Sequence, residues 1–219
     1  MRIVILVLLA AAMAGCLDPY RAHIDAAALE ASPVEWTVTE GAAREGGVLG
    51  ATSVETRYSH SSTTAPFSAV IQVFSVRQLD SRTTAELLAW TENAVDSALA
   101  REGIQVDSSK DREGKREWRS GVQSQFFTRE GQVHGTAGLF EDSSTVRVLG
   151  EVAVDGTSNT QVVVVTLAQV DRVRTCPVIG TCSREVDAST WANIVGDPAG
   201  SVGGAVHSDG LIFNMVTHG

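Results

Sequence analysis

The sequence predicts an α+β domain: a curved, mostly antiparallel sheet with one long helix, about residues 84–102, packed on a face, and a short C-terminal helix. Three observations predict it. Several segments alternate apolar and polar residues with a period of two, divided by turns rich in Gly, Asp and Ser. One long segment instead repeats its apolar residues at helical spacing. Two runs, 67–77 and Val162-Val163-Val164-Val165, are apolar on both sides and suit inner strands.

Taken in order, residues 16–33 read as a tether with a short helical turn after Asp25. From Val34 the period becomes two: Trp36 and Val38 alternate with Thr37 and Thr39, and Gly41 to Gly47 makes a turn. Val54, Thr56 and Tyr58 share one side of the next strand, with Glu55 and Arg57 on the other. After the inner run 67–77 comes the helix. Thr83 and Glu86 form a capping box, in which the hydroxyl takes a first-turn amide and the carboxylate reaches back. Leu87, Leu88, Thr91, Ala94, Val95, Ala98 and Leu99 make its apolar stripe, and Gly103 stops it. So broad a stripe must lie against a sheet.

A short strand is expected over 104–108. The mixed charges of 110–117 read as a solvated hairpin, followed by a strand carrying Trp118, Val122 and Phe126 with one wet face. Strands over 133–140, 145–154 and 161–170 are expected to turn at Glu130-Gly131, at 141–144 and at Asp155-Gly156-Thr157-Ser158-Asn159. A brief helix is expected over 189–195, ended by a Gly-rich stretch. Residues 211–216 read as a closing strand or a loose tail. No composition break or internal repeat divides 34–219, so one domain is expected there.

The chain opens with a single Arg2, then an apolar run too short for a spanning helix, which needs about 20 residues. This is the layout of an export signal. Its end, Met13-Ala14-Gly15-Cys16, resembles the lipobox of prokaryotic lipoproteins. The resemblance implies a signal peptide over 1–15, cleavage before Cys16 and attachment of lipid to its sulfur. It also implies a site on the outer face of a membrane (outer membrane or cell surface). The alternatives are an ordinary signal peptide cut near Ala14 and an uncleaved anchor.

Cleavage would leave 204 of the 219 residues and remove one of 17 basic residues but none of 26 acidic ones, taking the formal charge from −9 to −10. So acidic a surface repels phosphate backbones and anionic head groups, so neither nucleic acid nor electrostatic membrane docking is expected. With Cys16 lipidated, Cys176 and Cys182 remain as an even pair in an exported chain, bracketing a Pro- and Gly-containing turn. A structural disulfide is expected. A redox pair fits less well because the spacing is not Cys-x-x-Cys, and zinc lacks a second ligand pair.

The strand order, the long helix after an apolar strand (67–77, then 84–102) and the antiparallel strands after a charged turn before Trp118 resemble the PsbP-like α/β/α sandwich. That resemblance implies a small binding or assembly domain over about 34–195. Signals for chemistry are sparse. Ala199-Gly200-Ser201-Val202-Gly203 nearly matches Gly-x-Ser-x-Gly, and His207 and Asp209 follow. A triad within nine residues rarely converges, and a flexible loop is the better reading. The glycines lack the Lys-Ser/Thr of a P-loop, and the Asp155–Asn159 segment lacks the spaced ligands of a calcium loop. His23, His60, His134, His207 and His218 are scattered; Trp36, Trp90, Trp118 and Trp191 each fall where a core contact is expected. No catalytic residue, cofactor or metal is assigned. The expected function is a lipid-anchored extracytoplasmic domain that binds a protein partner or a small apolar ligand between helix and sheet. The alternatives are a secreted hydrolase using Ser201 and a structural cell-envelope protein.

Overall fold

The computed structural model describes residues 19–32, 35–44, 52–61, 68–77, 83–133, 145–169, 172–175, 184–187, 195–196 and 210–219. It is an α+β fold built on an eight-stranded antiparallel sheet. Strands β2 (Thr37–Glu40), β3 (Ser53–Ser61), β4 (Ser68–Arg77), β9 (Thr160–Gln169), β8 (Thr145–Asp155) and β7 (Gln123–Val133) lie side by side in that order. β5 (Ile104–Val106) and β6 (Arg112–Glu117) share the outer edge of β7. As expected, the four-valine run of β9 is inner, paired with β4 and β8 and buried throughout.

One face of the sheet carries helix α2 (Thr84–Arg101), which packs over β5, β7 and β8. The capping box is formed: the Glu86 amide donates to Thr83 Oγ1, and the Thr83 amide donates to Glu86 at 2.8 Å. Leu87, Thr91, Val95, Ala98 and Leu99 are buried against the strands.

The opposite face is covered by both ends of the described chain. β1 (His23–Ile24) pairs with β12 (Met215–Val216), and α1 (Ala26–Glu30) packs beside a 3-10 turn at Leu211–Asn214. Within the stretch 16–33 read as a tether, residues 19–32 are described, and they are packed on the sheet rather than free of it. Ala22 and Ile24 are buried, the Ala22 amide donates to Ser75 Oγ at 2.8 Å, and the Ile24 amide donates to the Tyr58 hydroxyl at 2.9 Å. The helical turn after Asp25 does form, with Asp25 as its cap. The segment 211–216 is a 3-10 turn leading into a strand.

Two further boundaries differ. Glu130-Gly131 is inside β7 rather than a turn: a Cβ on Gly131 would come within 2.6 Å of the Gln105 carbonyl oxygen, so glycine is needed for β5 to approach. Trp118 to Val122 is a turn between β6 and β7, closed by the Trp118 amide on the Val122 carbonyl, with Gly121 at φ +83°. The mixed-charge stretch is the edge strand β6 itself. The turn at Asp155 to Asn159 is as expected. The expected helix over 189–195 lies outside the described residues except for Val195.

Candidate functional site

Three polar networks and one recess carry the chemistry of the described residues. The first is inside the sheet. Glu151 sits in the middle of β8, on the face away from α2, and is fully buried. Four donors converge on its carboxylate: Arg116 Nε at 2.8 Å and Nη2 at 2.5 Å, Trp118 Nε1 at 2.5 Å, and Ser124 Oγ at 2.5 Å. The third Arg116 nitrogen donates to the Gly196 carbonyl at 2.9 Å. A buried carboxylate is stable only when paired and fully hydrogen-bonded, and this one is.

The second network pins α2 to the sheet. Arg129 of β7 binds Glu92, Asp96 (3.2 Å) and Asp111 (3.5 Å), and its guanidinium lies 5.1 Å from the Phe127 ring centre. Burial alone would lower the Arg129 pKa, but the surrounding Asp96, Asp111 and Glu92 charges outweigh it and raise it. At Asp111, burial and the neighbouring carboxylates together outweigh Arg129 and push its pKa up.

The third network fixes the end of the chain. Asp155 accepts from the Thr157 amide at 2.8 Å and lies 2.7 Å from His218 Nδ1. Burial would raise its carboxyl, yet the hydrogen bonds from Thr217, His218 and the Thr157 amide prevail and hold it at about 2. On β3, burial lifts the Tyr58 hydroxyl to about 12.

The recess is separate from all three. It encloses about 520 Å³ and is lined by Gln105, Val106, Asp107, Glu130, Gly131, Gln132 and Thr145. Its lining is mostly amide and carboxylate, with Glu130 paired to Arg147 at 2.5 Å. It lies at the sheet edge, at the start of β8. The Asp155 turn is at the other end of β8, about 33 Å away at strand spacing.

Cys16, Cys176, Cys182, Ser201, His207 and Asp209 lie outside the described residues, as do His134 and Trp191. β10 (Arg172–Thr175) pairs antiparallel with β11 (Arg184–Asp187), and Cys176 and Cys182 both fall between them in sequence. The three described histidines are not brought together: His23 is in β1, His60 Nδ1 meets the Glu35 carbonyl, and His218 meets Asp155. The three described tryptophans lie apart. Trp36 Nε1 donates to Ser32, Trp90 is on α2, and Trp118 is buried across the sheet on Glu151. Among the described residues no group of three or more His, Cys, Asp or Glu could hold a metal ion, and no helix is long and apolar enough to cross a membrane.

Sequence reasoning missed Glu151, Arg129 and the Asp155–His218 pair. The one signal available was Glu151 itself, a lone carboxylate in the otherwise apolar stretch Val148-Leu149-Gly150-Glu151-Val152-Ala153-Val154. No family model, curated protein or solved structure matches the chain.

Proposed function

We propose that the protein is a lipid-anchored extracytoplasmic domain that works by binding a protein partner and does not catalyse a reaction. The observation that carries this reading is the open polar recess at the start of β8. It presents the exposed side chains of Gln105, Val106 and Gln132 beside Asp107 and Glu130. Two acids and two amides in an open depression favour a polar, donor-rich partner surface over an apolar small molecule. The buried acids and bases support the same reading from the other side. Glu151, Arg129 and Asp155 are each engaged by groups of the fold itself, which makes them structural rather than poised for proton transfer. The lipobox-like Met13-Ala14-Gly15-Cys16 supplies the anchor.

The test is affinity capture from detergent-solubilised membranes with the full-length chain and with a Gln105→Arg/Gln132→Arg variant that keeps its circular dichroism spectrum. A specific partner retained by the parent and lost by the variant is expected. Identical capture by both, or no reproducible partner, would remove the recess from the function.

A further inference from the structure

We infer that the folded body rests directly on the bilayer, on the end of the sheet that carries the Asp155 turn, with phospholipid head groups as the surface it meets. The inference deepens the proposed function and rests on its lipid on Cys16. The chain is fixed into the fold almost at once. Pro19 is buried, Arg21 donates to the Glu55 carbonyl at 2.9 Å and the Gly41 carbonyl at 2.8 Å, and Ala22 is on Ser75. Only Leu17 and Asp18 separate Pro19 from Cys16. Three Cα steps of 3.8 Å span at most about 11 Å. The head-group layer of one leaflet is itself about 5–8 Å thick. A lipid on Cys16 therefore leaves the body no room to stand clear of the surface.

The register says which end is held there. From Ala22 beside Ser75 to Ile24 beside Tyr58, β1 runs down the face of β4 and β3, so Pro19 lies towards Arg77. Arg77 pairs with Thr160 at the end of the β8–β9 turn, and the last residues return to the same place through His218 on Asp155. This end suits a head-group surface. Gly156, Thr157 and Asn159 at the tip are exposed and uncharged, and the one acid of the turn, Asp155, is buried on His218. Of the exposed charged side chains near this end among the described residues, Glu40 is paired with Arg21 at 3.7 Å, Glu117 and Arg119 flank the β6–β7 turn with opposite charges, and Arg44 is a cation suited to phosphate. The recess then faces away from the membrane, at the far end of β8.

The test uses the full-length chain, processed in a host that lipidates it and reconstituted in vesicles of phosphatidylethanolamine with a minority of phosphatidylglycerol. A photoreactive amino acid is placed at Thr157 or, in a second variant, at Gln105. Phospholipid adducts found by mass spectrometry at 157 and not at 105 are expected. Inserting a flexible Gly/Ser spacer of about 20 residues between Asp18 and Pro19, with a mean span of about 25 Å, should abolish the adduct at 157. Adducts at neither position, or equally at both, on a chain whose Cys16 carries acyl mass would overturn the docking and leave the anchor standing. A chain without acyl mass on Cys16 would overturn both.

Discussion

Replacing Glu151 by Gln is the sharpest perturbation of the fold. The new side chain has nearly the same size, so packing is unchanged and the electrostatics are isolated. Its remaining oxygen can still accept from Trp118 Nε1 and Ser124 Oγ, as Glu151 Oε1 does at 2.5 Å each, and from Arg116 Nε, as it does at 2.8 Å. The other oxygen becomes an amide nitrogen facing Arg116 Nη2, a donor set against a donor where a 2.5 Å ion pair stood. The Arg116 side chain is only 12% exposed, so water cannot take over. Breaking a buried pair from one side costs about 3–5 kcal/mol, and the three bonds to Oε1 that survive keep the figure near the lower end, about 3 kcal/mol. At a urea slope of about 2–3 kcal/mol per molar, the unfolding midpoint should fall by roughly 1–2 M. Tryptophan fluorescence during urea titration reads this, since Trp118 is in the network. The double change Arg116→Met with Glu151→Leu should be less damaging than Glu151→Gln alone, because no buried charge is left unpaired. A loss below about 1 kcal/mol for Glu151→Gln would refute the account of why Arg116 lies across the sheet.

Asp155 is held at about 2 in the folded chain, below its ordinary value, so the native state binds its proton later than the unfolded state does. Its contribution, about 2 kcal/mol, is full above pH ~4 and lost as the pH falls towards ~2; acid titration of stability should flatten in that window in Asp155→Asn. Arg129→Met keeps the bulk on Phe127 but leaves Glu92, Asp96 and Asp111 facing one another, and should cost about 3 kcal/mol and speed hydrogen exchange in α2. Gly150→Ala would set a Cβ 2.3 Å from the buried Phe127 ring and should lower stability by about 1–3 kcal/mol, whereas Gly156→Ala, with nothing within 4 Å, should change melting temperature little. The peptide that holds Cys176 and Cys182 should gain the mass of two hydrogens on reduction, read by mass spectrometry.

The parts of this fold written in neighbouring residues were legible, and the parts written across the chain were not. α2 is specified by Thr83, Glu86 and a stripe within one segment, and its start is where the capping box puts it. The inner position of β9 follows from four consecutive valines. β1 has two residues and no period of its own; it exists because Met215 and Val216 arrive to pair with it. Gly131 looked like a turn residue because glycine has two uses, and here the use is room for the β5 backbone. Glu151 was visible as an oddity, but its partners are on β6, β7 and the turn between them, and only the pairing of those strands with β8 discloses them.

The cover formed by the two chain ends also sets the order in which this protein can be completed. The face bearing Tyr58, Ile71, Leu149, Val162 and Val164 is apolar, and its lid includes Met215 and Ile212. The Ile24–Met215 pairing spans nearly the whole domain, so its loop-closure entropy is charged before any contact rewards it. During synthesis β1, the N-terminal half of the lid, is made well before β12, the other half. Until then β1 has no strand to pair with, and the apolar face stays partly bare. Lipid on Cys16 would hold that unfinished face beside the membrane, and the same short connection would tie the finished lid down by its first strand. The β1–β12 layer thus completes the cover of this face, and ending the chain before Met215 should leave β1 unpaired and lower the stability of the sheet, read by urea titration.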